Sequence, residues 1–94
     1  MHHLILKSAA IKMAKNAYDW YESQQNNLGE IFLASLNDCF SRVQFQPKAN
    51  SKIKKNYRQA RLKKFPYVVV YEIIKEEIIV FSIFHTSRDP KNKY

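Results

Sequence analysis

The sequence predicts an α+β fold in which two N-terminal helices pack on one face of a three- to four-stranded, mainly antiparallel sheet, in the order β-α-α-β-β-β. Three observations carry this expectation. Apolar residues recur at spacings of three and four through the first half of the chain, and after residue 56 the period falls to two. The 94 residues, 46% apolar and 14% aromatic, suffice for one packed core and leave little for a second, so residues 1–94 are expected to form one domain.

The elements follow in order. "HHLIL" has the branched and apolar residues of a short strand, and Ser8 behind it is a candidate helix N-cap. Ala10, Ala14, Ala17 and Tyr21, with Met13 and Trp20 on the adjoining line, predict an amphipathic helix over 9–25. Its outer face carries Lys12, Lys15, Asn16, Asp19 and Glu22. "QQNN" breaks the pattern with residues that favour caps and turns, and Leu28, Phe32, Leu36, Cys39 and Val43 then form a second stripe. A helix over 28–45 is expected, closed by Pro47, with Gly29 in its first turn, where a glycine costs least. Trp20, Tyr21 and Phe32 are expected to hold the helices to each other and to the sheet.

"YRQARL" places Arg58, Ala60 and Leu62 on one side of a strand and Tyr57, Gln59 and Arg61 on the other. "PYVVVYEII" is apolar on both faces except at Glu72, as a central strand is, and "KEE" is a tight polar turn leading into "IIVFSIF", its hairpin partner. His85 continues the side of that last strand that holds Ile79, Phe81 and Ile83. With both helices on one face, the other face is expected to stay available.

Charge narrows the function. The net charge is +8, and the eight cations Lys48, Lys52, Lys54, Lys55, Arg58, Arg61, Lys63 and Lys64 fall in one segment without an acidic residue, while the rest of the chain balances. A localised excess makes a field that steers a polyanion, either nucleic acid or an acidic protein segment; the plainer reading is a solvated basic face. No stretch is long and apolar enough for a membrane span and no signal-peptide core precedes the first helix, so a cytoplasmic protein is expected. One cysteine, Cys39, forms no internal disulfide, and three scattered histidines give no zinc spacing, so neither metal nor cofactor is expected. Cys39 lies inside an apolar stripe and reads as a packed thiol.

Three stretches, taken in order, carry a resemblance: "WYESQQNNLGEIFLASL", "YRQARLKKFPYVVVYEI" with its Arg seven residues ahead of Phe-Pro-Tyr, and "IFHTSRDP" with a His-x-x-Arg-x-Pro ending. The chain resembles the RelE/ParE superfamily of type II toxin-antitoxin toxins, in particular its ParE-like branch, from the first strand to the end. The resemblance implies a toxin that inhibits growth and is neutralised by a cognate antitoxin in a toxin-antitoxin hetero-oligomer. It implies a surface for target or antitoxin built from Lys54, Lys55, Arg58, Arg61, Lys63, Lys64, His85 and Arg88, with Arg58 and Arg88 brought together on the side of the sheet away from the helices.

The superfamily holds two mechanisms. ParE-like members poison DNA gyrase by binding, and RelE-like members cut mRNA in the ribosome without a metal. In the ribonuclease reading Arg88, Arg58 and Tyr94 would be the catalytic residues, but the strand position where those members carry an Arg is here Val68. Loss of one such donor from a preorganised site typically costs about 100- to 1,000-fold in rate, so the resemblance favours the binding poison. A basic nucleic-acid-binding module without toxicity is the third reading. Plain structural roles stand beside these: His85 as a hydrogen-bonded strand-end residue, Arg58 as an anchor, Arg88 as the partner of Asp89 or Glu72, and Tyr67 and Tyr71 as core or rim.

Overall fold

The computed structural model of the chain describes residues 2–87. A short strand, β1 (His3–Leu6), leads into α1 (Ser8–Gln24). Lys7, not Ser8, occupies the N-cap, in extended conformation and with no side-chain cap. The expected hydroxyl cap is therefore not made, because Ser8 already lies inside the helix. Ala10, Ala17 and Tyr21 are the buried residues of α1. Small side chains at the first two let the helix approach the sheet closely.

Helix α2 (Leu28–Phe45) has the predicted bounds. Asn27, at its N-cap, is left-handed (φ 71°) and makes no side-chain cap. Glu22 of α1 supplies the cap instead: its carboxylate accepts the Asn27 N–H at 3.0 Å and the Gly29 N–H at 2.9 Å. A negative charge there also meets the positive end of the helix dipole. A Cβ on residue 29 would lie 2.9 Å from Glu22 Oε1 and from the Tyr18 ring. Gly29 is thus the residue that lets the two helices meet at this corner.

Four further strands follow, β2 (Lys52–Lys54), β3 (Tyr57–Arg61), β4 (Tyr67–Ile74) and β5 (Glu77–His85). They complete a five-stranded sheet of order β1-β5-β4-β3-β2, in which β1 runs parallel to β5 and every other pairing is antiparallel. The strand count exceeds the three or four expected. All three residues of β2 are exposed, so it carries no apolar alternation to read. Two-residue turns join β2 to β3 and β4 to β5, with Lys55 (φ 52°) and Lys75 (φ 56°) in the left-handed conformation that such hairpins demand.

A bulge in β5 decides which residues share a face. Val70 pairs with Ser82 but Tyr71 pairs with Val80, so Phe81 is an extra residue on its strand. Val80 and Ile78 therefore lie on the side of Tyr71 and Ile73, together with Ile83 and His85 opposite Val69 and Tyr67. Ile79 falls opposite Glu72 on the other side, and Phe81 packs edge-on against Tyr57 at 5.2 Å. The expected common side for Ile79, Phe81, Ile83 and His85 does not exist, because one inserted residue reverses the alternation.

The helix-side core joins Ala10, Ala17, Tyr21, Phe32, Leu36, Cys39 and Val43 to Ala60, Leu62, Tyr67, Val69, Tyr71, Ile78, Val80 and Ile83. At one end Tyr21, Phe32, Phe65 and Tyr67 form an aromatic cluster with centroids 4.9 to 6.1 Å apart. Trp20 is 46% exposed and touches Tyr21 edge-on at the rim. The opposite face of the sheet has a second, smaller core of Val68, Val70 and Phe84, none more than 2% exposed, with Met13 and Tyr57 packed against it. Each such side chain contributes about 1.5–3 kcal/mol on burial. The centre of this face is therefore filled, where a wholly available surface was expected.

Candidate functional site

Strand β3 divides the basic segment. Arg58 lies opposite Tyr71, on the side of buried Ala60 and Leu62 that faces the helices. The alternation that buries those two residues carries Arg58 to the same side, at the end of the strand where the core gives way to the turn after α2. There its Nη1 donates to the Asn50 carbonyl at 2.5 Å and, more weakly, to that of Lys48 at 3.4 Å. The Tyr71 hydroxyl donates to the Pro47 carbonyl at 2.6 Å and accepts from Asn50 Nδ2 at 3.2 Å. Burial pushes the Tyr71 hydroxyl above its ordinary pKa, and the Asn50 hydrogen bond and the Arg58 charge partly offset that. These bonds fasten residues 47–50 to the sheet. The expectation that Arg58 sits on the face away from the helices is overturned.

Among the described residues, Arg61 is the guanidinium of that other face. It lies opposite Val68, is exposed, and has the register of the Val68–Val70 side. Its carbonyl accepts from Arg42 Nη2 at 3.1 Å, and Arg42 is itself paired with Asp38, so the end of β3 is tied to α2. Lys63 and Lys64 follow in the β3–β4 loop, where the Lys63 carbonyl accepts the Ser35 hydroxyl at 2.5 Å and Lys64 is left-handed (φ 72°). Both line a depression of about 260 Å³ with Ile31, Ser35 and Asp38.

Lys54 pairs with Tyr57 while Lys52 pairs with Arg58, because the register of β2 shifts between them. The two lysines thus face opposite sides of the sheet. Lys55 marks the hairpin tip and Lys63 lies beyond the other end of β3, whose five residues at about 3.3 Å each span on the order of 15 Å. The eight consecutive cations of the sequence thus separate into a group at the β2–β3 hairpin, one exposed arginine and a loop at the far end of β3.

The hairpin group borders a groove of about 400 Å³ whose lining includes Lys48, Lys52, Asn56, Arg58 and Lys75, with Ile73. Lys75 was not singled out in the sequence, since it lies eleven residues beyond the basic run; only the β3–β4–β5 pairing brings it there. His85 is half-buried, its ring edge-on to Tyr67 at 5.2 Å and its Nδ1 accepting the Ser87 N–H at 3.1 Å. Arg88 and Tyr94 lie outside the described residues. Cys39 is buried, and burial pushes its thiol up to about 11, which suits packing and not nucleophilic chemistry. Among the described residues no helix is long and apolar enough to cross a membrane.

The described residues thus set two helices against one face of a mostly antiparallel sheet, with basic residues along its β2–β3 edge. The model of the ParE toxin of the type II toxin-antitoxin system parDE matches residues 4–90, and the chain belongs to that family. Among solved structures it is similar to the chromosomal ParDE system from P. aeruginosa, with 18% identity, a TM-score of 0.66 and coverage of 90% of this chain and 96% of that one. The intact E. coli RelBE toxin-antitoxin complex matches with 19% identity and a TM-score of 0.62 over 94% and 100% of the two chains. The RelB-RelE antitoxin-toxin complex from Methanococcus jannaschii matches with 18% identity and a TM-score of 0.54 over 87% and 89%. At these identities the likeness is one of fold. No curated protein sequence matches the chain significantly.

Proposed function

We propose that this toxin inhibits growth by binding an essential target, with DNA gyrase the candidate, and that a cognate antitoxin neutralises it. The observation that carries the reading is Val68. The position at which the ribonuclease members carry an arginine is here a fully buried valine within an apolar cluster, beside Val70 and Phe84. Val68 itself supplies no cation to a phosphate, and transition-state charge on a scissile phosphate needs such donors preorganised around it. Arg61 borders the same face and is exposed, so it serves as a binding contact for an acidic partner. Lys54, Lys55, Lys63 and Lys64 extend the contact electrostatically, steering an acidic target toward it.

The test is a supercoiling and cleavage-complex assay with the purified chain and gyrase. Accumulated cleavage complexes or lost supercoiling, suppressed by co-expressed antitoxin and weakened in Arg61→Ala, are the expected result. Unchanged gyrase activity together with cleaved transcripts in a translating extract would replace this reading by the ribonuclease one.

A further inference from the structure

We propose that the groove between the β2–β3 hairpin and the β4–β5 turn is a binding site for a small ligand carrying adjoining phosphates, an inorganic or nucleoside di- or triphosphate. The site is on the helix side of the sheet, away from the Val68–Val70–Phe84 cluster, and it is independent of the target proposed above.

Four cations from four places in the chain line this one groove: Lys48 from the turn after α2, Lys52 from β2, Arg58 from β3 and Lys75 from the β4–β5 turn. No carboxylate lines it among the described residues. None of the four has an ion-pair partner among the described residues; the surface pairs lie elsewhere, at Lys15–Asp19 and Arg42–Asp38. Four like charges gathered without a counter-charge repel one another, and an anion relieves that repulsion.

Arg58 is fixed in advance. Its hydrogen bonds both use Nη1, to main-chain carbonyls in the segment that Tyr71 and Asn50 hold in place, and among the described residues Nε and Nη2 have no acceptor. A guanidinium so held loses little freedom on binding, and its planar fork matches phosphate oxygens. Asn56 adds a neutral hydrogen-bonding side chain, and Ile73 gives the groove an apolar wall. Its volume of about 400 Å³ lies in the range of small-molecule sites, roughly 300–1,000 Å³.

Charge spacing selects the ligand. An extended acidic peptide brings one carboxylate per residue and turns alternate side chains away, so it would aim widely spaced single charges into a space bordered by four cations. A diphosphate carries its charges on neighbouring groups. A duplex backbone is too broad to enter a concavity of this size.

Isothermal titration of the full chain with inorganic pyrophosphate at low salt tests the site. Saturable one-to-one binding that weakens as salt rises is expected, reduced about tenfold in Lys52→Gln/Lys75→Gln by the loss of two of the four charges. Both lysines are exposed, so this double variant keeps the fold, whereas Arg58→Ala would also release residues 47–50. The double variant Lys12→Gln/Lys15→Gln, with equal charge loss elsewhere, should bind as the wild type does. Tighter binding of a nucleoside diphosphate than of pyrophosphate would identify a nucleotide as the source, and equal binding a free polyphosphate. No saturable binding, equal weakening in both double variants, or tighter binding of a glutamate-rich peptide or an unphosphorylated-end oligonucleotide would overturn the proposal.

Discussion

Arg58 and Arg61 leave the same strand three residues apart and enter different surroundings. Arg58 turns toward the helices, ties two carbonyls of the turn after α2 to the sheet and borders a groove of lysines. Arg61 turns the other way, exposed beside buried Val68. The difference teaches that a run of cations in a strand-rich segment is a property of the sequence and not of the surface. Alternation, a register shift and two tight turns distribute it over both faces and both ends of β3.

The comparison of the two faces can be broken by substitution, and the largest effects are expected in their cores. Phe32→Ala should cost about 3–5 kcal/mol, as for other fully buried aromatics, and is read from urea denaturation. Val70→Ala tests whether the far face is truly packed. A loss of about 1.5–3 kcal/mol is expected, while a change under about 0.5 kcal/mol, usual for a solvent-facing site, would mean that this face is bare.

The arginines themselves come next. Arg58→Ala should lose about 1–2 kcal/mol with its hydrogen bonds to residues 48 and 50, discounted for its partial exposure. Arg61→Ala should stay within about 0.5 kcal/mol of the wild type and affect target binding instead. Equal stability losses would erase the distinction between them. At the helix corner, Glu22→Ala should cost about 1 kcal/mol through the lost N-terminal cap of α2.

The last effect is a pH dependence, felt only in alkali. Burial raises the Cys39 thiol from 9.0 to about 11, so its folded state holds the proton more tightly than the unfolded chain does. Its contribution is fully present below pH 9 and is lost as pH rises through about 11. The urea midpoint should fall across that window. Cys39→Ala should flatten the part of the fall below pH 10, before the ordinary phenol value from which Tyr71 is raised.

Both helices and the central hairpin were legible because their apolar periods are long. Leu28 to Val43 and Tyr67 to Ile74 each repeat a face often enough to fix element and orientation. Strand β2 was not, since Lys-Ile-Lys offers one apolar residue and takes its place only by pairing with β3. The Phe81 bulge left no trace either: an inserted residue within "IIVFSIF" is apolar like its neighbours, so only the hydrogen-bond register reveals that the faces exchange. For the site, the alternation of "YRQARL" already separated Arg58 from Arg61, and Ala60 and Leu62 pointed to the buried side. The groove was hidden because Lys75 reaches it through the sheet's pairing and not through nearness in the chain. The cap on α2 was hidden for the same reason, as Glu22 belongs to the preceding helix.

Induction of the chain in growing cells, followed by mapping of RNA 5′ ends with and without its antitoxin, tests the central claim most directly. If the toxin acts by binding, growth should arrest, the antitoxin should reverse the arrest, and no new ends should arise within translated messages. Fresh cleavage inside coding regions, arising on induction and vanishing with antitoxin, would contradict it.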